Sequence, residues 1–441
     1  MATLQQKPLT LRRNFSWTFV GNVVYAVCQW GMLVVLAKLG SPEMVGQFTL
    51  GLAVTAPVIL FTNLHLRVVQ STDVRQEYVF GDYLGLRLIS TGLALLIIAG
   101  ITLTAGYRWE TSLVIVVVGM AKALESISDV FYGLIQQHER MDRIGISMMM
   151  KGPLSLLFLG LGIYITRSVL WGAVGLTVAW AIVLLGYDIR SAALMLNTYQ
   201  IKIQSERLGE PAMATVALRP RGHWGTLRKL VWLALPLGFV MMLISLNINI
   251  PRYFIERYLG ARDLGIFAAI SYLMVVGNMV VNALGESASP RLAKYYAARD
   301  SIAFRTLLLK LVGFAALVGG VAVVVALVAG RQILILLYQP EYAQHTNLFV
   351  WLMVAAGISY IASFLGYGMT AARYLRIQLP VFILVVTTSS TACLWLLPTF
   401  GLQGAAIALL LGAIIQAVMS LGVIIHALYK IRNSDNKHNI Q

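Results

Sequence analysis

The stretch "GMAKALESISDVFYG" (residues 119–133) sets Lys122, Glu125 and Asp129 inside an otherwise apolar run. At about 100° per residue, Glu125 lies about 300° and Asp129 about 340° around a helix from Lys122, so all three share one narrow face. An ionisable group near the centre of a membrane helix costs at least about 2.5–3.5 kcal/mol on insertion scales, which makes a chemical task the default reading. An ammonium there suits a phosphate, as a point-charge contact. A carboxylate held away from bulk water suits a coupling ion. The same residues support a plainer reading, with an i,i+3 pair between Lys122 and Glu125 and Asp129 reaching cytoplasmic water.

Other polar residues in apolar runs carry the same two readings. Arg67, in "NLHLRVVQ", offers a planar fork for an anion, or a positive-inside anchor reaching lipid phosphates. Arg87 and Lys151 share that ambiguity, while the anchor reading is favoured for Arg373. Asn22, Tyr25 and Gln29 stand at i, i+3 and i+7, and Asn278, Asn282 and Glu286 at i, i+4 and i+8, so each set forms a polar stripe. Amide stripes match sugar hydroxyls through paired donors and acceptors, and they also glue helices together. Asn247 and Asn249 lie about 200° apart, so at most one of them faces a given cleft. The substrate-cavity candidates are therefore Arg67, Arg87, Lys122, Asn22, Gln29, Asn278 and Asn282, and the ion-coupling candidates Glu125, Asp129 and Glu286. No catalytic set and no metal site is expected. Cys28 and Cys393 both fall in apolar runs, and the six histidines show no HExxH-like spacing.

The elements that must position these residues are membrane helices. Of the 441 residues, 59% are hydrophobic and 12% charged, and the mean hydropathy is +0.77, whereas soluble domains carry about 25% charged residues. About twelve apolar runs long enough to cross a bilayer are predicted, near 15–37, 45–66, 84–105, 111–133, 145–166, 169–189, 230–250, 264–285, 306–329, 347–369, 377–398 and 402–429. Arg12 and Arg13 precede a full-length span with no cleavage site after it, so that span is expected to remain in the mature chain. The net charge of +16 does not gather into a basic patch interleaved with aromatics, which argues against nucleic acid. It punctuates the spans instead. An even number of spans puts both termini on one side, and placing that side in the cytoplasm gathers there most of the 34 Lys and Arg residues.

The longest polar stretch divides the chain into an N-terminal six-helix lobe (residues 1–190), a cytoplasmic linker (191–229) and a C-terminal six-helix lobe (230–441). Within the linker, "NTYQIKIQSERLGEPAMATVALRPRG" reads either as an interfacial amphipathic helix or as plain connection. The halves echo each other. "KLGSPEMVGQF" (38–48) matches "YLGARDLGIF" (258–267) with one deletion, and "WGAVGLTVAW" (171–180) pairs with "FGLQGAAIAL" (400–409). A repeat of six spans keeps its orientation, so the expected class is an all-α polytopic membrane protein with a parallel 6+6 pseudo-repeat, as in transporters that rock two lobes.

At these residues the chain resembles the Wzx-type flippases of polysaccharide and O-antigen assembly, within the multidrug/oligosaccharidyl-lipid/polysaccharide (MOP) exporter superfamily. The resemblance rests on "RRNFSWTFVGN", "KLGSPEMVGQF", "DVFYGLIQQHERMDRIGIS", "RYLGARDLGIFAA", "ASPRLAKYYAARD", "YQPEYAQH" and "FGLQGAAIA", in that order along nearly the whole chain. It implies a MATE-like fold and translocation of undecaprenyl-pyrophosphate-linked oligosaccharide to the periplasmic leaflet by alternating access, with H+ or Na+ coupling and no cofactor. It also implies basic cavity residues. The implied location is the bacterial inner membrane, with both termini cytoplasmic. Membrane lipid and the lipid-linked oligosaccharide are the expected partners, with a polysaccharide polymerase and glycosyltransferases as candidates, and a monomer is expected. The alternatives within the superfamily are a multidrug or organic-cation antiporter, which would favour an acidic cleft, and a lipid II flippase. A membrane glycosyltransferase would need a catalytic acid or base on a substantial outer loop, and the outer loops here are short.

Overall fold

A computed structural model describes residues 11–73, 77–196 and 218–438, and among them the regular elements are helical. The N-terminal part comprises α1 (Leu11–Leu39), α2 (Pro42–Thr62), α3 (Leu66–Thr72), α4 (Phe80–Thr104), α5 (Trp109–Gln137), α6 (Met141–Thr166) and α7 (Val169–Val183), the last followed by a π-helical turn, Leu184–Asp188. Then come α8 (Trp224–Leu259), α9 (Ala261–Ser271), α10 (Met274–Ala297), α11 (Ser301–Leu337), α12 (Thr346–Ala371) and α13 (Leu375–His438).

Nine helical stretches among the described residues are long and apolar enough to cross a membrane, and α9 with α10, bent by 42°, forms a tenth. That number leaves aside α5, whose 29 residues exceed the roughly 20 that a crossing needs. It also takes Ile377–Lys430 as one stretch, although Gly401 breaks α13 with φ 55° and ψ −136°. That backbone conformation is open to glycine and strained for other residues. With α5 added and α13 divided, about twelve crossings result, in line with the hydropathy reading.

The chain forms two compact units, Met1–Ser245 and Leu246–Gln441. The cut falls inside α8 rather than in a loop. The expected linker, 191–229, is helical up to Leu196 and again from Trp224, so its described ends extend helices instead of separating them. Its middle, residues 197–217, lies outside the described residues.

In the N-terminal unit, α1 packs against α6 through small residues. A Cβ at Gly21 would stand 2.7 Å from Gly145 Cα, and one at Gly145 would stand 2.6 Å from the Trp17 carbonyl oxygen. Where lipid is as apolar as leucine, such close backbone approach is what drives helix association. Leu66, Tyr83, Phe131, Leu184 and Leu230 form the buried core beneath the candidate site. In the C-terminal unit, Phe304, Leu308, Tyr360 and Phe364 form a separate core with Ile424.

The second predicted span, 45–66, is not one straight helix. It stops at Thr62 and resumes at Leu66, because Leu64 and His65 both take φ of 51°, a left-handed conformation that costs non-glycine residues about 1–2 kcal/mol each. Asn63 caps α2, its N–H donating to the Ile59 carbonyl. The break places Arg67 at the start of the short α3, turned towards α5.

Candidate functional site

Seven ionisable residues inside helices of the N-terminal unit, Arg67, Arg87, Lys122, Glu125, Asp129, Lys151 and Asp188, form a polar belt. On α5, Lys122 Nζ meets Glu125 Oε2 at 2.8 Å, and the Tyr25 hydroxyl of α1 donates to Glu125 Oε1 at 2.8 Å. Lys122 also lies 4.9 Å from the Trp180 ring centroid of α7. The i,i+3 pairing foreseen from the sequence is thus formed, and it is tied to α1 and α7 as well.

Asp129 does not simply face water. It stands between two guanidiniums, with Arg67 Nη1 at 3.5 Å and Arg87 Nη2 at 3.4 Å on its two oxygens. Arg67 is held from the other side by Gln136, whose Oε1 accepts from Nε at 2.9 Å, and by the Tyr132 face 5.5 Å away. The Arg87 side chain is fully buried. Its Nη1 donates to Asn63 Oδ1, which also accepts from the Ser126 hydroxyl. Arg87 Nε finds no acceptor among the described residues.

A third cluster closes into a ring. Lys151 Nζ of α6 donates to the Tyr132 hydroxyl at 2.8 Å, and that hydroxyl meets Ser147 Oγ at 2.6 Å. Ser147 Oγ donates to Asp188 Oδ1 at 2.5 Å, and Asp188 Oδ2 lies 2.9 Å from Lys151 Nζ. The last contact falls outside hydrogen-bonding geometry, so it acts through charge. Asp188 ends the π-helical turn after α7, and such turns re-aim side chains where an α-helix would not. Tyr132, with Arg67 and Lys151 both against its ring, joins this ring to the Asp129 cluster. Trp180 joins it to Lys122, since Nε1 donates to Ser155 Oγ at 2.6 Å and that hydroxyl donates to the Lys151 carbonyl at 2.5 Å.

Lys122, Glu125, Arg67 and Asp129 are each between 23% and 35% exposed along the side chain, whereas Arg87, Lys151 and Asp188 are at most 3%. The lipid-anchor reading of Arg87 and Lys151 therefore fails, because neither side chain can reach a headgroup. Arg373 is exposed, in a left-handed turn after α12, as an anchor requires. On α1, Asn22 is exposed and Gln29 half-buried, with Gln29 Nε2 buried and without a partner among the described residues. Asn278, Asn282 and Glu286 belong to the C-terminal unit. There α10 leaves Asn282 and Glu286 exposed and Asn278 half-buried. Asn249 is buried and accepts from Arg252 Nη1 at 3.1 Å, while Asn247 Oδ1 accepts from Ser389 at 3.5 Å. These two asparagines thus engage different neighbours, as their angular separation requires.

Sequence reasoning missed Asp188 and undervalued Lys151. An acid at the end of an apolar run, next to "GYD", looks like ordinary loop polarity, and no spacing rule links it to Ser147, 41 residues earlier. It also missed a cleft of about 430 Å³ where α3 meets the first half of α8, lined by Asp73, Glu77, Tyr78, Tyr83 and Leu233 among others. The carboxylate of Asp73 is already engaged there by the Glu77 and Tyr78 N–H groups and the Tyr83 hydroxyl. Burial, then the charges of Glu77 and Asp73, push the Tyr78 phenol up. Among its described lining residues the cleft carries two acids and no Lys or Arg to meet an anionic ligand, and the belt is the better candidate.

A family model described as polysaccharide biosynthesis protein matches residues 11–296. The capsular polysaccharide biosynthesis protein CapF of Staphylococcus aureus is 28% identical over 408 residues, which cover 92% of this chain and 97% of that protein. Among solved structures, the lipid II flippase MurJ in an inward closed conformation superposes with a TM-score of 0.68 at 11% identity, covering 94% of this chain and 89% of its own. An inward-facing multidrug resistance MATE transporter of the MOP superfamily gives 0.65 at 13% identity, with 95% and 99% covered. At such identities these two structures establish the fold alone, a MATE-like helical bundle.

Proposed function

Because the chain belongs to the polysaccharide biosynthesis protein family, we propose that it is a flippase which carries an undecaprenyl-pyrophosphate-linked oligosaccharide from the cytoplasmic to the periplasmic leaflet of a bacterial inner membrane. Transport proceeds by alternating access and is driven by an H+ or Na+ gradient. A pyrophosphate and a polyol cannot cross hydrocarbon unaided, since each unpaired polar group costs several kcal/mol there. A protein must supply substitutes for water along the way.

The observation that carries this reading is the charge of the belt. Among the described residues, Arg67, Arg87, Lys122 and Lys151 form their ion pairs with Glu125, Asp129 and Asp188, four cations against three anions, which leaves a cationic excess inside helices of membrane-spanning length. Arg67 and Lys122, partly exposed, make the first contacts with the pyrophosphate, and buried Arg87 backs them. Asn22, Gln29, Asn278 and Asn282 serve sugar hydroxyls, and Glu125 and Glu286 serve the coupling ion, while Asp129 is taken up by the two arginines. An organic-cation antiporter would want the opposite polarity, and a glycosyltransferase would want an acid or base on an extramembrane loop.

The test uses purified protein in liposomes carrying a lipid-linked oligosaccharide on one leaflet. Gradient-dependent transfer of the oligosaccharide to the other leaflet is expected. Transport of a fluorescent organic cation along the gradient, with the oligosaccharide left in place, would overturn the assignment.

A further inference from the structure

We propose that Asp129 is a resident stand-in for the phosphoryl group of the ligand. It occupies the Arg67 and Arg87 pair when the site is empty, gives way to an incoming pyrophosphate, and returns to expel it. The identity of the ligand rests on the translocation reading above, whereas the exchange itself rests on local geometry.

One carboxylate is shared between two guanidiniums, each touching a different oxygen through a single Nη, at 3.5 and 3.4 Å. Charge-assisted hydrogen bonds close to about 2.7–2.9 Å, and arginine usually grips a carboxylate with two parallel bonds. Asp129 achieves neither. The arginines are fixed, Arg67 by Gln136 and the Tyr132 face and Arg87 by Asn63. Asp129 makes no hydrogen bond besides these two among the described residues, so the carboxylate is the member free to leave.

Arg87 shows what is missing. Its side chain is wholly buried, yet Nε has no acceptor among the described residues, and the one carboxylate that it meets is shared with Arg67, so a single negative charge stands against two positive ones. A buried cation left under-paired is costly. A pyrophosphate brings at least two charges and several oxygens to the place where Asp129 brings one charge and two oxygens, so it satisfies both guanidiniums at once. Access exists, since Arg67 and Asp129 are 26% and 29% exposed. The swing of Asp129 off the pair opens the site, and its swing back supplies the competing anion that a transporter needs to let go of a doubly charged head group.

The experiment measures binding of inorganic pyrophosphate, and separately of a short prenyl pyrophosphate, to the full chain in nanodiscs. The two arms distinguish the free anion from the lipid headgroup. Asp129→Asn removes the competitor and should tighten binding of both by about tenfold, equivalent to about 1.4 kcal/mol. Asp129→Glu keeps a carboxylate and should stay within about threefold of the wild type, and Arg67→Gln should weaken binding in either background. In the wild-type chain, labelling of Asp129 by a water-soluble carbodiimide, read by peptide mass spectrometry, should rise severalfold on adding pyrophosphate. Unchanged or weaker binding by folded Asp129→Asn, or labelling that falls on adding pyrophosphate, would overturn the proposal. If Asp129→Asn binds tighter while the wild-type chain leaves the oligosaccharide unflipped, the exchange stands and the translocation reading fails. If the wild-type chain flips it and Asp129→Asn binds no tighter, the exchange alone fails.

Discussion

Replacing Lys151 by methionine keeps the length of the side chain and deletes its charge. The Lys151 and Asp188 side chains are 3% and 0% exposed, so the change strands a carboxylate inside the N-terminal unit with the Ser147 hydroxyl as its one aligned donor among the described residues. Breaking a buried ion pair from one side typically costs about 3–5 kcal/mol. Here the contact to Asp188 Oδ2 lies outside hydrogen-bonding geometry, which lowers the loss. The lost bond from Lys151 to Tyr132 adds about 0.5–1.5 kcal/mol. The expected penalty is about 3 kcal/mol. The double variant Lys151→Met/Asp188→Leu removes both charges and should return to within about 1 kcal/mol of the wild type, giving a coupling of about 2 kcal/mol or more. Denaturant unfolding in detergent, followed by tryptophan fluorescence, reads the cycle, since Trp180 touches Ser155 beside Lys151. Additive single effects, or a Lys151→Met variant as stable as the wild type, would refute the claim that this pair is desolvated and mutually dependent.

Lys122→Gln should slow oligosaccharide flipping in liposomes while leaving membrane abundance unchanged, and an unaltered rate would remove Lys122 from the substrate path. Gly145→Val must push a branched side chain against the Trp17 carbonyl, where a Cβ alone already stands 2.6 Å away. It should cost about 1–3 kcal/mol through overpacking, read as a lowered melting temperature, and an undiminished melting temperature would mean that α1 and α6 do not pack this closely. Tyr25→Phe deletes the hydroxyl that donates to Glu125 and should cost about 0.5–1.5 kcal/mol in the same melting assay, and an unchanged melting temperature would mean that this bond adds nothing to stability.

Much of the membrane architecture was legible because the free energy of placing a residue in hydrocarbon is a local property of that residue. Runs of about twenty apolar side chains therefore announce themselves, and Lys and Arg at their ends reveal the loops. The shared face of Lys122, Glu125 and Asp129 was legible for the same reason, since helical periodicity needs only spacing. The break at Leu64 and His65 was not, because hydropathy is blind to backbone sign and neither residue is the glycine that normally marks such a turn.

Sequence by itself determined that this chain is a helical membrane protein of about twelve crossings, that it carries charge where charge is expensive, and that one face of α5 collects three ionisable groups. Only the tertiary structure decided who partners whom. Arg67 and Asp129 are 62 residues apart, Arg87 and Asp129 42, and Tyr25 and Glu125 100. Ion pairing depends on distance in space, and in an all-helical bundle that distance is set by how helices pack, not by how far apart residues stand along the chain. The close contact of α1 with α6, the break after α2 and the π-helical turn before Ile189 bring these groups together, and no periodicity in the sequence encodes that meeting.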